Sequence, residues 1–121
     1  MSAIINPDGS VSVEAPTPVV LQQSALVISA GPWIRIPDKH QTYQVTANGS
    51  SGAFSVIVVI EVSNDGVNPL TQPLGSIVLS GTAPTMQSDG FATGPAPWVW
   101  ARSRITAISG TGASVTTVMG S

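Results

Sequence analysis

Ala53-Phe54-Ser55-Val56-Ile57-Val58-Val59-Ile60-Glu61-Val62-Ser63 is the stretch that decides the fold. Alternation along a strand puts Phe54, Val56, Val58, Ile60 and Val62 on one face, and Ser55, Ile57, Val59, Glu61 and Ser63 on the other. Its centre is apolar on both sides, which predicts a strand buried on both faces or covered by another chain. The apolar run from Val56 to Ile60 is the longest in the chain and has strand length. A spanning helix needs about 18 such residues, so no membrane-crossing helix is expected.

Working outward, turn signals bracket further strand-like runs. Downstream, Asn64-Asp-Gly and Asn68-Pro read as turns, then Ser76-Ile-Val-Leu-Ser as a short strand. Ser88-Asp-Gly-Phe-Ala starts another element, and Gly94-Pro-Ala-Pro is a stiff bend. From Trp98 to Ala107, alternation places Trp98, Trp100, Arg102, Arg104 and Thr106 opposite Val99, Ala101, Ser103, Ile105 and Ala107. Ser109-Gly-Thr-Gly leads into a final strand from Ala113 to Met119, which reads as a closing hairpin.

Upstream, Asn48-Gly-Ser-Ser-Gly is a loop. Thr42 to Ala47 alternates, with Tyr43, Val45 and Ala47 on one face. Trp33-Ile-Arg-Ile is a short strand behind the Gly31-Pro32 break. Val19 to Ser29 is strand by its β-branched residues and flanking prolines. Residues 1–18 read as an extended N-terminal arm, because Asn6-Pro-Asp-Gly is a turn and Ala15-Pro-Thr-Pro favours a polyproline-like path. Ser10-Val-Ser-Val-Glu, between them, alternates enough for one edge strand. The expectation is a single antiparallel all-β sandwich or jelly roll over residues 19–121, of about seven or eight strands, carrying that arm.

Only 8% of the 121 residues are charged, against about 25% in ordinary soluble domains. The surface is then made of Ser, Thr, Asn, Gln and Gly, with little repulsion to keep copies apart. That suits a protein packed against others, including itself as a trimer or dimer. The side-chain charge is −2, and Arg35, Lys39, Arg102 and Arg104 are the only cations, so no basic stripe suggests direct nucleic-acid binding. Zero cysteines exclude disulfides and thiolate metal sites. The first residues lack the basic and apolar regions of a secretory signal, so synthesis is expected in the cytoplasm.

No catalytic constellation, cofactor motif or metal motif stands out. His40 lies in a charged turn beside Asp38 and Lys39, where a lone histidine usually faces solvent. Asp8, Asp65 and Asp89 each precede a glycine, which is ordinary turn chemistry. They would hold calcium only if the fold gathered them. Gly110-Thr-Gly lacks the lysine of a phosphate loop. An enzyme is therefore not expected.

The Trp98, Trp100, Arg102 and Arg104 face admits three readings: packing within the chain, contact with another protein, or stacking on sugar rings. Trp and Arg are enriched at the energetic centres of interfaces. With the arm residues Ile4, Ile5, Val11, Val13, Pro16 and Pro18, this face supplies the candidate interface.

The chain from about residue 54 to 119 also resembles small β-sandwich structural proteins of tailed-phage virions. The resemblance rests on a strand ending in Ser63-Asn-Asp-Gly, on Gly75-Ser-Ile-Val-Leu-Ser-Gly, and on the close through Trp100, Arg102 and Ile105-Thr-Ala-Ile-Ser-Gly-Thr-Gly-Ala-Ser-Val. It implies a capsid decoration (cement) protein on the head surface, with the major capsid protein as partner and many copies bridging capsomers. The alternative is a tail or baseplate host-recognition module binding surface polysaccharide through Trp33, Trp98 or Trp100. Residues 1–18 carry no motif of that group.

Overall fold

The computed structural model describes residues 2–5, 11–14, 19–36, 41–93 and 98–120; for residues 2–5, 11–14 and 41 it defines the backbone. His40, with Asp38 and Lys39, lies outside the described residues, as do Asp8, Pro16 and Pro18.

Ten strands are present among the described residues: β1 (Ser2–Ile5), β2 (Val11–Glu14), β3 (Val19–Ala25), β4 (Ile34–Arg35), β5 (Gln41–Asn48), β6 (Ser51–Ser63), β7 (Gly75–Thr82), β8 (Gln87–Thr93), β9 (Trp100–Thr111) and β10 (Ser114–Gly120). Eight of them form two four-stranded antiparallel sheets. The first has the order β3-β10-β5-β8, the second β4-β9-β6-β7. Among the described residues, β1 and β2 pair with each other in a separate two-stranded sheet. The body is the expected all-β sandwich.

Alternation fills the space between the sheets. The first sheet contributes Tyr43, Val45, Ala47, Val115 and Met119; the second contributes Phe54, Val56, Val58, Ile60, Val62, Ile77, Leu79, Ala101 and Ile105. Two apolar clusters result, one around Val45, Val58 and Ile105, the other around Leu21, Tyr43 and Ile60. A buried polar group joins the sheets as well. The Ser103 hydroxyl donates to Gln22 Oε1 at 2.7 Å and lies 2.8 Å from Thr117 Oγ1. Gln22 and Thr117 belong to the first sheet and Ser103 to the second, so each finds a partner without water. The Tyr43 hydroxyl is buried with no partner among the described residues, and burial pushes its pKa up to about 12.

Two departures from simple alternation shape the edges. Pairing with β10 leaves extra residues in β3 between Val20 and Gln22 and between Gln22 and Ala25. Leu21 and Gln22 are therefore both buried although adjacent, and Ser24 takes a left-handed φ of 48°. In β9, Ile105 pairs Val58 and Ala107 pairs Ile57, so Thr106 is an extra residue. Beyond this bulge the inward parity passes to Ile108, which packs on the first cluster.

β3 is shorter than the expected Val19–Ser29 strand. After it, Leu26, Val27 and Ile28 turn outward, 63–64% exposed. The chain then crosses to the second sheet, where Ile105 N–H donates to Ser29 O and Gly31 N–H to Ser103 O, both at 2.8 Å.

The expected closing hairpin is corrected. β9 and β10 are consecutive but belong to different sheets, so the turn between them is a corner of the sandwich. Gly110 there has φ 115°, and a Cβ would sit 2.7 Å from Ala53 O, which only glycine tolerates.

Candidate functional site: the outer face of the second sheet

The outer face of the second sheet follows from the register that builds the core. Because Ala101, Ser103 and Ile105 are buried, Trp100, Arg102 and Arg104 face away from the core. On β6 the outward set is Ser55, Ile57, Val59, Glu61 and Ser63, and on β7 it includes Val78, flanked by buried Ile77 and Leu79.

Pairing arranges these residues in rows. Val78 opposes Ile57, which opposes Ala107. Ser76 opposes Val59, which opposes Arg104. Glu61 opposes Arg102, and Ser63 opposes Trp100. One end of the face is therefore an aliphatic patch with Val78 64% exposed, and the other is polar and aromatic.

Glu61 organises the polar end. Arg102 Nε donates to its Oε1 at 2.8 Å, and Arg104 Nη1 reaches its Oε2 at 3.5 Å. Glu61 is only 7% exposed, although its strand position is outward and it is engaged by both arginines. The Arg102 guanidinium also lies over the Trp33 ring, 4.4 Å from its centroid, a cation–π contact. Arg35, opposite Trp100, adds a third cation.

Trp100 is held by the β6–β7 turn. Gly66 has φ 70°, and a Cβ at that position would lie 3.1 Å from the Trp100 ring, so backbone rests directly on the indole. Asp65 fixes the turn. Its Oδ1 accepts from the Ser63 hydroxyl at 2.7 Å and from Val67 and Asn68 N–H groups at 2.8 Å, and its Oδ2 accepts from Asn68 Nδ2 at 2.9 Å. The Ser63 hydroxyl bond, followed by the Asn68 and Val67 amides and the Asn68 side chain, holds the Asp65 carboxyl well below the usual carboxylate range.

Of the residues expected to form an interface, the structure brings Trp100, Arg102 and Arg104 together on this face. Trp98 instead packs against the second apolar cluster. Ile4 and Ile5 lie on β1, Val11 and Val13 on β2. The sequence reading did not connect Val78 with Ile57 and Val59, since that link depends on the β6–β7 register. It also missed Trp33 as the partner of Arg102, a contact between segments far apart in sequence.

Among the described residues, no group of three or more His, Cys, Asp or Glu side chains could hold a metal ion. No helix among them is long and apolar enough to cross a membrane. An open trough lies beside Gly90, lined by Gln44, Ser88 and Phe91. No family model, curated protein or solved structure matches the chain.

Proposed function

We propose that this chain is a structural protein of a tailed-phage virion, a capsid decoration protein that bridges neighbouring capsomers on the head surface. The observation that carries the reading is the outer face of the second sheet. It joins an aliphatic patch to a prearranged arginine pair on a stiff sandwich, which is the chemistry of a protein-contact surface. The arginines are held by Glu61 and Trp33 before any partner arrives, so less side-chain entropy is lost on contact.

The low charge of the chain and the residue pattern over 54–119 support the same reading. The major capsid protein is the proposed partner. Against sugar stacking on the tryptophans, Arg102 already covers Trp33 and Gly66 rests on Trp100.

The test is binding to undecorated capsids, with bound copies counted against the major capsid protein. Saturation at a comparable copy number supports decoration. Absence from capsids, with retention on purified tails, overturns it.

A further inference from the structure

Among the described residues, the two sheets of the sandwich end in the edge strands β3, β8, β4 and β7. Three of these edges are blunted. β4 is two residues long, β3 is interrupted by two register shifts against β10, and β8 carries Asp89 and Gly90 at its centre. β7 has none of these devices. It holds no proline and no charge, and it pairs β6 in unbroken register from Thr82 opposite Ala53 to Gly75 opposite Ile60. An undefended edge is a template for a further strand.

Hydrogen-bond parity decides which groups that edge presents. Ala83 N–H donates to Gly52 O at 2.9 Å and Leu74 N–H to Ile60 O at 2.7 Å, so the even-numbered residues of β6 turn their backbone groups toward β7. Bonded pairs recur at every second residue of an antiparallel ladder, so Phe54, Val56 and Val58 bond Gly81, Leu79 and Ile77. Ser76, Val78 and Ser80 then direct their N–H and C=O groups away from β6, to the open edge. All three are exposed, Val78 by 64%. Beneath the strand, Phe91 and Gln87 of β8 fill the space under Gly75 and Gly81. The chain thus closes the core side of β7 itself and leaves the edge open.

The order of residues along β7 fits one occupant. Gly75-Ser-Ile-Val-Leu-Ser-Gly has the same residue classes read in either direction about Val78. Two antiparallel strands related by a twofold axis read each other backward. With the axis at Val78, Val78 meets Val78, Ile77 meets Leu79, Ser76 meets Ser80 and Gly75 meets Gly81. The pairs formed by Ser76, Val78 and Ser80 are those whose backbone groups point to the edge, so each exchanges both bonds. Slipping the pairing by one residue would set edge-directed groups against groups already bonded to β6. Slipping it by two would set Val78 against a serine. The seam carries no charge, and because Val78 lies opposite Ile57 in each copy, both pairs join into one aliphatic row across it.

We propose that β7 is a self-pairing edge: two copies join antiparallel about Val78, so that their second sheets continue as one. This pairing does not depend on the virion reading and is tested without capsids.

Sedimentation and light scattering at tens of micromolar read the mass, and the full chain is expected as a dimer. S80P removes an edge N–H that β6 does not use, so the fold should tolerate it with a melting temperature close to the parent. The dimer should weaken at least about tenfold, since backbone bonds across the seam are lost. V78K places a charge at the axis and is expected as a monomer. I57S changes the outer face without touching the edge and is expected to keep the dimer. Cysteine pairing reads the register, because the chain has no cysteine of its own. Bonded antiparallel partners lie about 5.5 Å apart at Cα, inside the disulfide range of about 4.4–6.8 Å. V78C should therefore form a covalent dimer on mild oxidation, whereas S76C alone, roughly 14 Å from its counterpart, should not. Mixing S76C with S80C should restore the bridge. A monomeric full chain, a dimer that survives S80P, a dimer lost in I57S, or V78C that bridges no faster than S76C overturns the proposal.

Discussion

Outside the first sheet, polar side chains bond to one another. Gln44 Nε2 donates to Ser88 Oγ at 2.9 Å, Thr46 Oγ1 lies 3.0 Å from Ser88 Oγ, and Ser114 donates to Asn48. Outside the second sheet, Ile57, Val59 and Val78 lie beside a carboxylate shared by two arginines. Both sheets use the same alternation and fill the same core, so the core does not explain the difference. Among the described residues, the first sheet bonds these outer polar groups to each other, and Val20 and Val118 form an outward aliphatic pair. The second leaves aliphatic surface without cover and invests its charges in a fixed arrangement. The contrast teaches that, in a chain so poor in charge, the proposed contact surface differs from the other face by what is left unpaired.

The largest test of this contrast compares adjacent positions on β6. Val58 is fully buried between the sheets, while Ile57 faces outward and is half-buried. Val58→Asp places an uncompensated carboxylate in the core and is expected to cost about 4 kcal/mol or more, enough to unfold a marginal domain. Ile57→Asp should cost about 1 kcal/mol, because its carboxylate reaches water. Thermal and urea denaturation of the two variants checks the register. Equal losses would mean that both faces of β6 are interior in the isolated chain.

The next effect is at Glu61. Removing its charge leaves Arg102 and Arg104 close together with only a neutral amide between them. Breaking a fully buried pair costs about 3–5 kcal/mol; Arg104 is half exposed, so Glu61→Gln should cost about 2 kcal/mol. The loss should shrink in high salt, which screens the two arginines from each other. Urea denaturation at two ionic strengths measures both quantities, and a loss below 0.5 kcal/mol, on the order of an ordinary surface substitution, would reduce the arrangement to a decorative ion pair.

How far the sequence foretold these two faces depends on how strictly each strand alternates. β5 and β6 alternate without interruption through their centres, and Tyr43, Val45, Ala47 and the Phe54–Val62 series are buried as expected. The Trp100, Arg102 and Arg104 row was legible for the same reason. The rest failed where backbone geometry breaks the count. Thr106 is an extra residue that reverses parity in β9, so Ala107 no longer shares the inward side with Ile105. The extra residues in β3 bury Leu21 and Gln22 together. The Ser109–Gly112 turn looked like a hairpin because local sequence reports a reversal without telling which sheet receives the next strand. The aliphatic patch was half visible: both faces of β6 read as apolar, but Val78 joins it only through pairing.

A smaller effect concerns the turn covering Trp100. The folded-state pKa of Asp65 is depressed, chiefly by the Ser63 hydroxyl and the Asn68 and Val67 amides. Its contribution is therefore complete above the unfolded value of about 4 and is lost as pH falls from there toward the folded value. Melting temperature followed from pH 7 down to pH 2 should fall less steeply below pH 4 in Asp65→Asn than in the parent. Because the carboxyl is exposed, the difference should be smaller than the Glu61 effect. Tryptophan fluorescence adds a local readout, since loosening the turn uncovers the Trp100 ring beside Gly66. Parallel pH curves for the two proteins would sever the turn from the stability of this face.

The smallest effect belongs to the first sheet. Ser88 is the hub of its outer face, within hydrogen-bonding distance of Gln44, Thr46 and the Val45 carbonyl. By bond count, Ser88→Ala removes more named contacts than Glu61→Gln does. By exposure it should matter far less, because water replaces each lost bond and neither Gln44 nor Thr46 is left buried and unpaired. The expected cost is about 0.5 kcal/mol or less. A loss matching that of Glu61→Gln would show that the polar face carries as much stability as the charged one. The division of labour between the two sheets could then not be drawn from the polarity of their outer faces.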